Sequence, residues 1–230
     1  MYGFFLDSYY WVLVVPAMLL AVWAQMRVQS TFSKYERVFS MRGMTAAMIT
    51  RQILDANGLS HVRVEWTQGR LSDHYDPRNN VIRLSEAVYN STSIGAIGVA
   101  AHEAGHAMQY AQHYAPIKLR TMLIPITNIG SSLAVPLAIM GVVLGMGWLI
   151  DIGIVLFLAV VLFQLVTLPV EFNASRRAIR TLDTYGYLNE TELSGAKKVL
   201  SAAALTYVAA LVTAVANLLR LLLLRNRERR

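Results

Sequence analysis

The amino-acid sequence predicts a mainly α-helical, multi-pass membrane protein with about four transmembrane helices and a small α+β region outside the membrane. Hydrophobic residues make up 55% of the 230-residue chain and are concentrated in long blocks. Polar segments separate these blocks, and the first of them contains the apolar–polar alternation that is typical of strands. The basic residues behind the net charge of +7 flank the apolar blocks, as is common in membrane proteins. We therefore expect the lipid bilayer, and no nucleic acid, as a partner.

The first apolar block predicts a transmembrane anchor within residues 1–27. Residues 9–26 are long enough to cross a bilayer and carry aromatic side chains at both ends, as interfacial belts do. No Lys or Arg precedes the block and Arg27 follows it, unlike the order in a cleaved signal peptide. We expect an uncleaved anchor whose N-terminus lies outside the cell.

Residues 28–120 predict the cytoplasmic α+β region. Thr45 is a suitable N-cap for a helix that extends to Leu54 and ends at the Asn-Gly pair 57–58. Residues 61–66 predict a strand, residues 68–80 are rich in turn formers, and residues 80–85 predict a second strand. An edge strand of such a sheet could hold an extended peptide by strand addition.

One predicted helix of this region carries a metal-binding pattern. Residues 97–110 are largely small and apolar, and they contain the run His102-Glu-Ala-Gly-His106. Residues four apart share a helix face, so both imidazoles can bind one metal ion, and Glu103 can reach a water beside it. Two histidines and a glutamate in a buried helix would be costly without a metal or partner. The pattern is that of zinc peptidases, and it is preferred here over a chance surface cluster.

The third ligand has to be a histidine or a carboxylate, because the chain contains no cysteine. Residues 121–170 are nearly continuous apolar sequence that divides near residues 145–151, so they predict a transmembrane hairpin. Glu171 is the first charged residue after this hairpin. It would complete a His2Glu set that holds one Zn2+ per chain and leaves one position for water. Alternatively, or in addition, Glu171 lies in the first turn of a helix that begins near Pro169.

The turn-rich segment contributes further candidates. His74 and Tyr75 could act on the substrate side or as oxyanion donors, and Tyr110 is another possible donor. Asp76 could likewise act on the substrate side or the oxyanion side of the site. Ordinary turn chemistry explains Asp73 and Asp76 as well, and we prefer it for these two aspartates.

His113 is not a predicted ligand. The metzincin pattern requires its third histidine at residue 112 and a glycine at residue 109, and both positions are Gln in this chain. We expect His113 near the end of the helix, where a cation is favourable.

Two further segments are predicted after the hairpin. Residues 171–198 form a second polar segment, and residues 199–230 form a last transmembrane or membrane-associated helix with a basic tail. A break at residues 185–186 precedes a helix that Asn189 or Thr191 could cap. The first polar region contains 10 Lys/Arg, the second contains five, and the hairpin turn contains none. The positive-inside rule therefore places both polar regions in the cytoplasm. Four full crossings would leave the basic tail outside the cell, against the same rule. The sequence therefore does not decide whether the last helix crosses the membrane completely.

Eight stretches carry a resemblance to a known family. They are residues 42–45, 53–58, 73–78, 81–86, 98–106, 115–116, 128–130 and 163–172. The chain resembles the YugP-like family of bacterial membrane zinc metallopeptidases, and the order of motif, hairpin and glutamate is similar to that of CAAX prenyl proteases and heat-shock membrane proteases. The resemblance implies a gluzincin-type site with His102 and His106 as ligands, Glu103 as catalytic base and Glu171 as third ligand.

Two positions depart from the pattern that the resemblance implies. Asn173 stands where related sequences carry Asp, and Ser175 stands where gluzincins often have an Asp four residues after the ligand glutamate. A carboxylate that orients a ligating histidine would then be absent, or another residue such as Asp76 or Asp183 would supply it.

We expect a zinc metalloendopeptidase that hydrolyses membrane-associated proteins or peptides at the cytoplasmic face of the bacterial plasma membrane. Zinc would activate water, and Glu103 would act as the general base. The alternative is a weak or inert zinc-stabilised scaffold or regulator, which the departures at residues 173 and 175 suggest. A transporter or channel is disfavoured, because the spans contain almost no ionisable residues. The pattern predicts no particular oligomeric state.

Overall fold

A computed structural model describes residues 7–69 and 72–228. The predicted fold class is confirmed, because helices dominate and four of them are long and apolar enough to cross a membrane. The described helices are α1 (Val15–Tyr35), which follows a π-helical turn (Tyr10–Val14), α2 (Ala46–Ala56), α3 (Glu86–Tyr89), α4 (Ile94–Ala111), α5 (Ala115–Leu144), α6 (Gly147–Thr184) and α7 (Glu190–Glu228). The described strands are β1 (Arg63–Thr67), β2 (His74–Asp76) and β3 (Val81–Ser85).

The chain forms two compact units. The apolar unit contains the described residues up to 25, residues 118–169 and the described residues from 205 onward. The sheet unit contains residues 26–117 and 170–204, and therefore all three strands and α4. Helices α1, α5, α6 and α7 each contribute residues to both units.

Within the apolar unit, α5 and α6 form the predicted hairpin. Gly145 has a φ of +65° at the tight turn between them, a conformation that glycine adopts without strain. A Cβ on Gly130 would lie 2.7 Å from the Leu156 carbonyl oxygen, and one on Gly153 would lie 2.7 Å from that of Ala134. The two backbones thus approach to a distance that only glycine allows, as small residues do between membrane helices.

Two ion pairs bring the ends of the apolar unit together. Arg220 of α7 donates to Asp7 through Nη2 at 2.8 Å and Nε at 3.0 Å, and both side chains are buried. Arg225 donates to Asp151, next to the hairpin turn, at 2.7 and 2.8 Å. The start of the first membrane helix, the hairpin turn and the end of α7 therefore lie at one end of this unit. This arrangement favours a complete crossing by α7.

The sheet has the strand order β1-β3-β2, with β1 parallel and β2 antiparallel to the central β3. The strand predicted at residues 61–66 begins two residues later, at Arg63. The segment predicted as turns contains the short strand β2, in which Tyr75 pairs with Ile82. Three residues are too few to give a periodic signal, and pairing with β3 is what makes this segment extended.

Helix α2 confirms the capping prediction, because the Thr45 hydroxyl accepts a hydrogen bond from the Met48 amide at 3.2 Å. The capping prediction for α7 is resolved in favour of Asn189. Its side chain accepts from the Glu192 amide while Glu192 accepts from the Asn189 amide, both at 2.9 Å. This reciprocal pair is a capping box. The predicted break before it is confirmed by Gly186, which has a φ of +60°.

The prediction that a helix begins near Pro169 is wrong. Helix α6 runs through Pro169 and continues to Thr184, so Glu171 lies inside a helix and not in its first turn. Proline normally ends a helix because it lacks an amide hydrogen, but membrane helices tolerate it where neighbouring groups satisfy the freed carbonyl. Glu171 therefore lies in the part of α6 that belongs to the sheet unit.

Candidate metal centre

Helix α4 lies in the core of the sheet unit and carries the HExxH run. Its N-terminus is capped by Ser93, whose hydroxyl accepts a hydrogen bond from the Ala96 amide at 3.2 Å. Small residues let other helices approach it closely. A Cβ on Gly105 would lie 2.6 Å from the carbonyl oxygen of Ala174 in α6. The backbones of α4 and α6 are thus in contact at the middle of the motif.

This close approach brings Glu171 of α6 to the two histidines of α4. Its Oε2 lies 3.3 Å from Nε2 of His102 and 3.6 Å from Nε2 of His106. One ligand atom from each of the three residues lies within 4.8 Å of the others. The three side chains that the sequence analysis assigned as metal ligands are therefore gathered at one point.

His106 is held by Gln109 in the tautomer that suits a metal ligand. Nδ1 of His106 lies 3.0 Å from Oε1 of Gln109. The amide nitrogen of Gln109 donates to the Val170 carbonyl at 2.8 Å and to Oδ1 of Asn173 at 2.9 Å. Since both of these partners are acceptors, the amide has only one satisfactory orientation, and its oxygen faces the imidazole. In a neutral His106 the proton is then on Nδ1, and Nε2 presents a lone pair toward Glu171.

His102 has a matching arrangement. Its Nδ1 lies 3.0 Å from the hydroxyl oxygen of Ser175, one helical turn beyond Glu171. Its Nε2 is the atom that faces the glutamate. Metal-binding histidines commonly engage their second nitrogen in this way, which fixes the orientation of the ring.

Of the two alternatives for the orienting carboxylate, its absence is the one observed, because neither Asp76 nor Asp183 contacts the histidines. Ser175 and Gln109 fill the two Nδ1 positions instead. The carboxylate of Asp76 accepts hydrogen bonds from the residues of its own turn and from Arg83. The side-chain amide of Asn79 is the main reason that the pKa of Asp76 is lowered to about 2. This confirms the turn interpretation of Asp76.

Burial and the neighbouring charges shift the pKa of His106 in opposite directions. Burial lowers the pKa of this imidazole, whereas its hydrogen bond to Glu171 and the negative charges of Glu103 and Glu171 raise it. The raising contributions are together larger, so the pKa of His106 is above its usual value. The pocket therefore favours positive charge at this point, and a bound metal cation would supply it.

Glu103 lies beside the ligands and is positioned by the sheet. Its side chain is buried, and Oε2 accepts a hydrogen bond from the backbone amide of Tyr75 at 3.0 Å. Tyr75 belongs to the edge strand β2, so this bond joins the edge of the sheet to α4. The ring centroid of Tyr75 also lies 5.6 Å from that of Tyr110 on α4.

The remaining candidates lie around this core. His74 is exposed on β2, and its Nδ1 is 2.8 Å from the Ser72 carbonyl oxygen. Asp73 accepts hydrogen bonds from the amide and hydroxyl of Ser85 and so ties β2 to β3. Burial raises the pKa of Asp73 more than these bonds lower it. His113 follows the end of α4 with a φ of +52° and is not part of the ligand cluster.

Gln109 is the residue that the sequence analysis missed as a partner of the metal site. The available signal was its position three residues after His106, which puts both side chains on one face of α4. Its partners on α6 could not be inferred from that spacing. The role of Ser175 was similarly hidden, because an aspartate was expected there.

The residues present fit a zinc ion. Two imidazole nitrogens and one carboxylate oxygen are the ligand set of many catalytic zinc sites, which leave a further position for water. Both imidazoles present Nε2, and their other nitrogens are engaged. The arrangement can thus hold a divalent cation with Glu103 nearby.

Comparison with known proteins agrees with this site. A sequence-family model described as "Putative neutral zinc metallopeptidase" matches residues 10–226. The chain is 49% identical over 212 residues to the "Putative membrane protease YugP" of Bacillus subtilis (strain 168), which covers 92% of this chain and 94% of that protein. No solved structure matches the chain significantly. The sequence similarity therefore extends over both units and not only over the HExxH run.

Proposed function

The chain belongs to the neutral zinc metallopeptidase family whose model spans residues 10–226, and from that premise we propose that it is a membrane-embedded zinc metalloendopeptidase. The observation that carries the proposal is the convergence of His102, His106 and Glu171, whose ligand atoms lie within 4.8 Å of one another. Glu103 is adjacent and buried, as a general base beside such a site would be. One Zn2+ per chain is the cofactor that this ligand set favours.

Zinc bound by these three residues supplies a Lewis acid that acidifies water and polarises a peptide carbonyl. Glu103 accepts the proton of the attacking water and passes it to the leaving amine. The amide of Tyr75 supports this role, because its hydrogen bond fixes one carboxylate oxygen and leaves the other for proton transfer. His74, on the same strand, stays our proposed oxyanion-side donor.

The substrates that we propose are membrane-associated proteins or peptides. Four helices of the described chain are suited to crossing a membrane, so a substrate must reach a site carried by a membrane protein. The excess of Lys and Arg in the two polar regions favours a cytoplasmic site. The short edge strand β2, bonded to the proposed base, offers backbone groups to which an extended peptide could align.

The alternative of an inert zinc-bound scaffold has less support. It was suggested by the absence of aspartate at residues 173 and 175, which would leave a histidine without an orienting partner. Ser175 and Gln109 orient the two imidazoles instead. The histidines are therefore supported without a carboxylate in either position.

Metal analysis combined with a cleavage assay tests the proposal. We would purify the full chain in a mild detergent and measure zinc in wild type, Glu171→Ala and Glu103→Gln, with Lys197→Gln as a surface control. The expected result is about one zinc per chain in wild type, Glu103→Gln and the control, and loss of zinc in Glu171→Ala. Cleavage of an unstructured protein such as casein, or of co-reconstituted membrane proteins, should occur only in wild type and the control.

Two results would contradict the proposal. Zinc retained at full occupancy by Glu171→Ala would mean that the third ligand lies elsewhere. Zinc bound by wild type without any turnover, under conditions in which Glu103→Gln behaves identically, would favour the scaffold.

A further inference from the structure

The sheet unit contains a second candidate site, a groove of about 550 Å3 that is lined by three arginines. Arg176, Arg177 and Arg180 line it from α6, Met108 lines it from α4, and Gln112 lines it from the position just after the end of α4. At 3.6 residues per turn, each arginine is at least about 120° around the helix from Glu171. The groove, which we call the arginine groove, is therefore on a different face of α6 from the metal centre.

The arginine groove has a strong and uncompensated positive charge. No Asp or Glu is among the described residues that line it. Within residues 7–69 and 72–228, none of the three guanidinium groups forms an ion pair with a carboxylate. Arg176 and Arg180 are four residues apart on one helix, where like charges repel. A bound anion would relieve this repulsion.

One arginine of the groove is already held in place. Arg177 donates through Nε to Oδ1 of Asn173 at 2.7 Å and through Nη1 to Oε1 of Gln112 at 2.6 Å. Arg176 and Arg180 are exposed and extend the donor set. A fixed guanidinium flanked by two adaptable ones suits an anion with several oxygens, because each guanidinium can donate two parallel hydrogen bonds.

We propose that the arginine groove binds a phosphate group, from the headgroup of an anionic phospholipid or from free phosphate. Three cations exceed what one carboxylate requires. Free phosphate offers more acceptor oxygens and as much as two negative charges, and the phosphodiester of a phospholipid offers one negative charge next to further headgroup oxygens. Residues 152–170 of α6 contain no charged side chain, and Arg176 is the first base after them. Basic clusters next to membrane-crossing segments are typical of headgroup recognition.

The arginine groove is connected to the metal centre by hydrogen bonds. Oδ1 of Asn173 accepts both from Arg177 and from the amide nitrogen of Gln109, and Gln109 holds His106. The proposal does not depend on peptidase activity, because an anion can bind the groove whether or not the zinc site turns over.

Binding to the full chain in a neutral detergent tests the proposal. Native mass spectrometry would compare phosphatidylglycerol with zwitterionic phosphatidylcholine, and thermal unfolding would compare inorganic phosphate with chloride at equal ionic strength. The variant Arg176→Gln/Arg180→Gln leaves the bonds of Arg177 intact. The control Lys197→Gln/Lys198→Gln removes the same charge from two exposed residues outside the groove.

We expect the double arginine variant to bind at least about tenfold more weakly than wild type and the lysine control to bind like wild type. Preference for phosphatidylglycerol alone identifies the headgroup as the source, and a response to inorganic phosphate identifies the free anion; either supports the proposal. Binding of neither probe, or equal loss in the arginine and lysine variants, overturns it. Each single variant, Arg176→Gln and Arg180→Gln, should show a smaller loss, and wild-type affinity in both also overturns it.

Discussion

The side-chain amide of Gln109 connects His106 to the backbone of α6: its oxygen lies 3.0 Å from Nδ1 of the imidazole, and its nitrogen donates to the Val170 carbonyl at 2.8 Å. Val170 immediately precedes Glu171, so one residue fixes the proposed histidine ligand and the backbone next to the proposed glutamate ligand. The separation between His106 and Glu171 on two helices is thus set by a polar side chain buried between them.

Replacing Gln109 should therefore weaken zinc binding. Gln109→Met keeps the volume but removes the hydrogen bonds to His106 and α6, and loss of such an orienting partner typically weakens metal affinity by about 10–100-fold. Competition with a chromophoric chelator measures the affinity. Gln52→Met, an exposed glutamine on α2, is the matched control. Wild-type affinity in Gln109→Met would show that His106 needs no such support.

Two replacements of Ser175 should have different effects on zinc affinity. Ser175→Ala removes the partner of His102 Nδ1 and should weaken zinc binding up to about tenfold. Ser175→Asp introduces a charged acceptor, which makes a stronger hydrogen bond and a more basic imidazole, so zinc affinity should be at or above the wild-type value. The same chelator competition measures both. A Ser175→Asp variant as weak as Ser175→Ala would contradict the role assigned to this contact.

The contact between α4 and α6 predicts the effect of a single methyl group. In Gly105→Ala the new Cβ would meet the Ala174 carbonyl oxygen at 2.6 Å, so the helices must separate, at a cost of about 1–3 kcal/mol in the free energy of unfolding. Zinc content should fall as well, because the ligands come from both helices.

The matched control for this change is Gly98→Ala, also on α4. Its Cβ would lie 3.3 Å from the methyl carbon of Ala196 and 3.5 and 3.7 Å from the Cα and carbonyl oxygen of that residue, so a shift of a few tenths of an ångström accommodates it. Because alanine also has the higher helix propensity, the change should be close to neutral. Thermal unfolding and metal analysis compare the stability and the zinc content of the two variants. Equal losses in Gly105→Ala and Gly98→Ala would show that the contact between Gly105 and Ala174 is not what causes them.

The buried pair of Asp7 and Arg220 predicts a non-additive stability change in the apolar unit. Either Asp7→Leu or Arg220→Met alone removes one partner of this buried ion pair, which typically destabilises by about 3–5 kcal/mol. The double variant removes both charges and should be closer to wild type than either single variant. Thermal unfolding in detergent of all four proteins gives the coupling. Additive losses would mean that the two side chains act independently.

Much of the metal centre was predictable because its signals are local. The positions of His102 and His106 on one helix face follow from a four-residue spacing, and the small residues around them predict a buried helix. The membrane helices follow from the length of apolar sequence. The caps at Thr45 and Asn189 follow from the hydrogen-bonding capacity of single side chains.

The errors share a different cause. The strand β2 is extended because β3 pairs with it, and three residues carry no periodicity of their own. Pro169 predicted a helix start, but α6 continues through it, and Gln109 of α4 donates to the carbonyl of the next residue, Val170. In each case contacts from distant parts of the chain outweighed a local preference.

By itself, the sequence determined the types of the proposed ligands, their register on α4, the proposal of a third ligand beyond the hairpin, and the membrane class. Only the tertiary structure decided which side chains orient the imidazoles, how Glu103 is held and where α6 carries Glu171. The physical reason is that spacing along one helix is fixed by backbone geometry, whereas the meeting of two helices depends on a close contact such as that of Gly105 with Ala174.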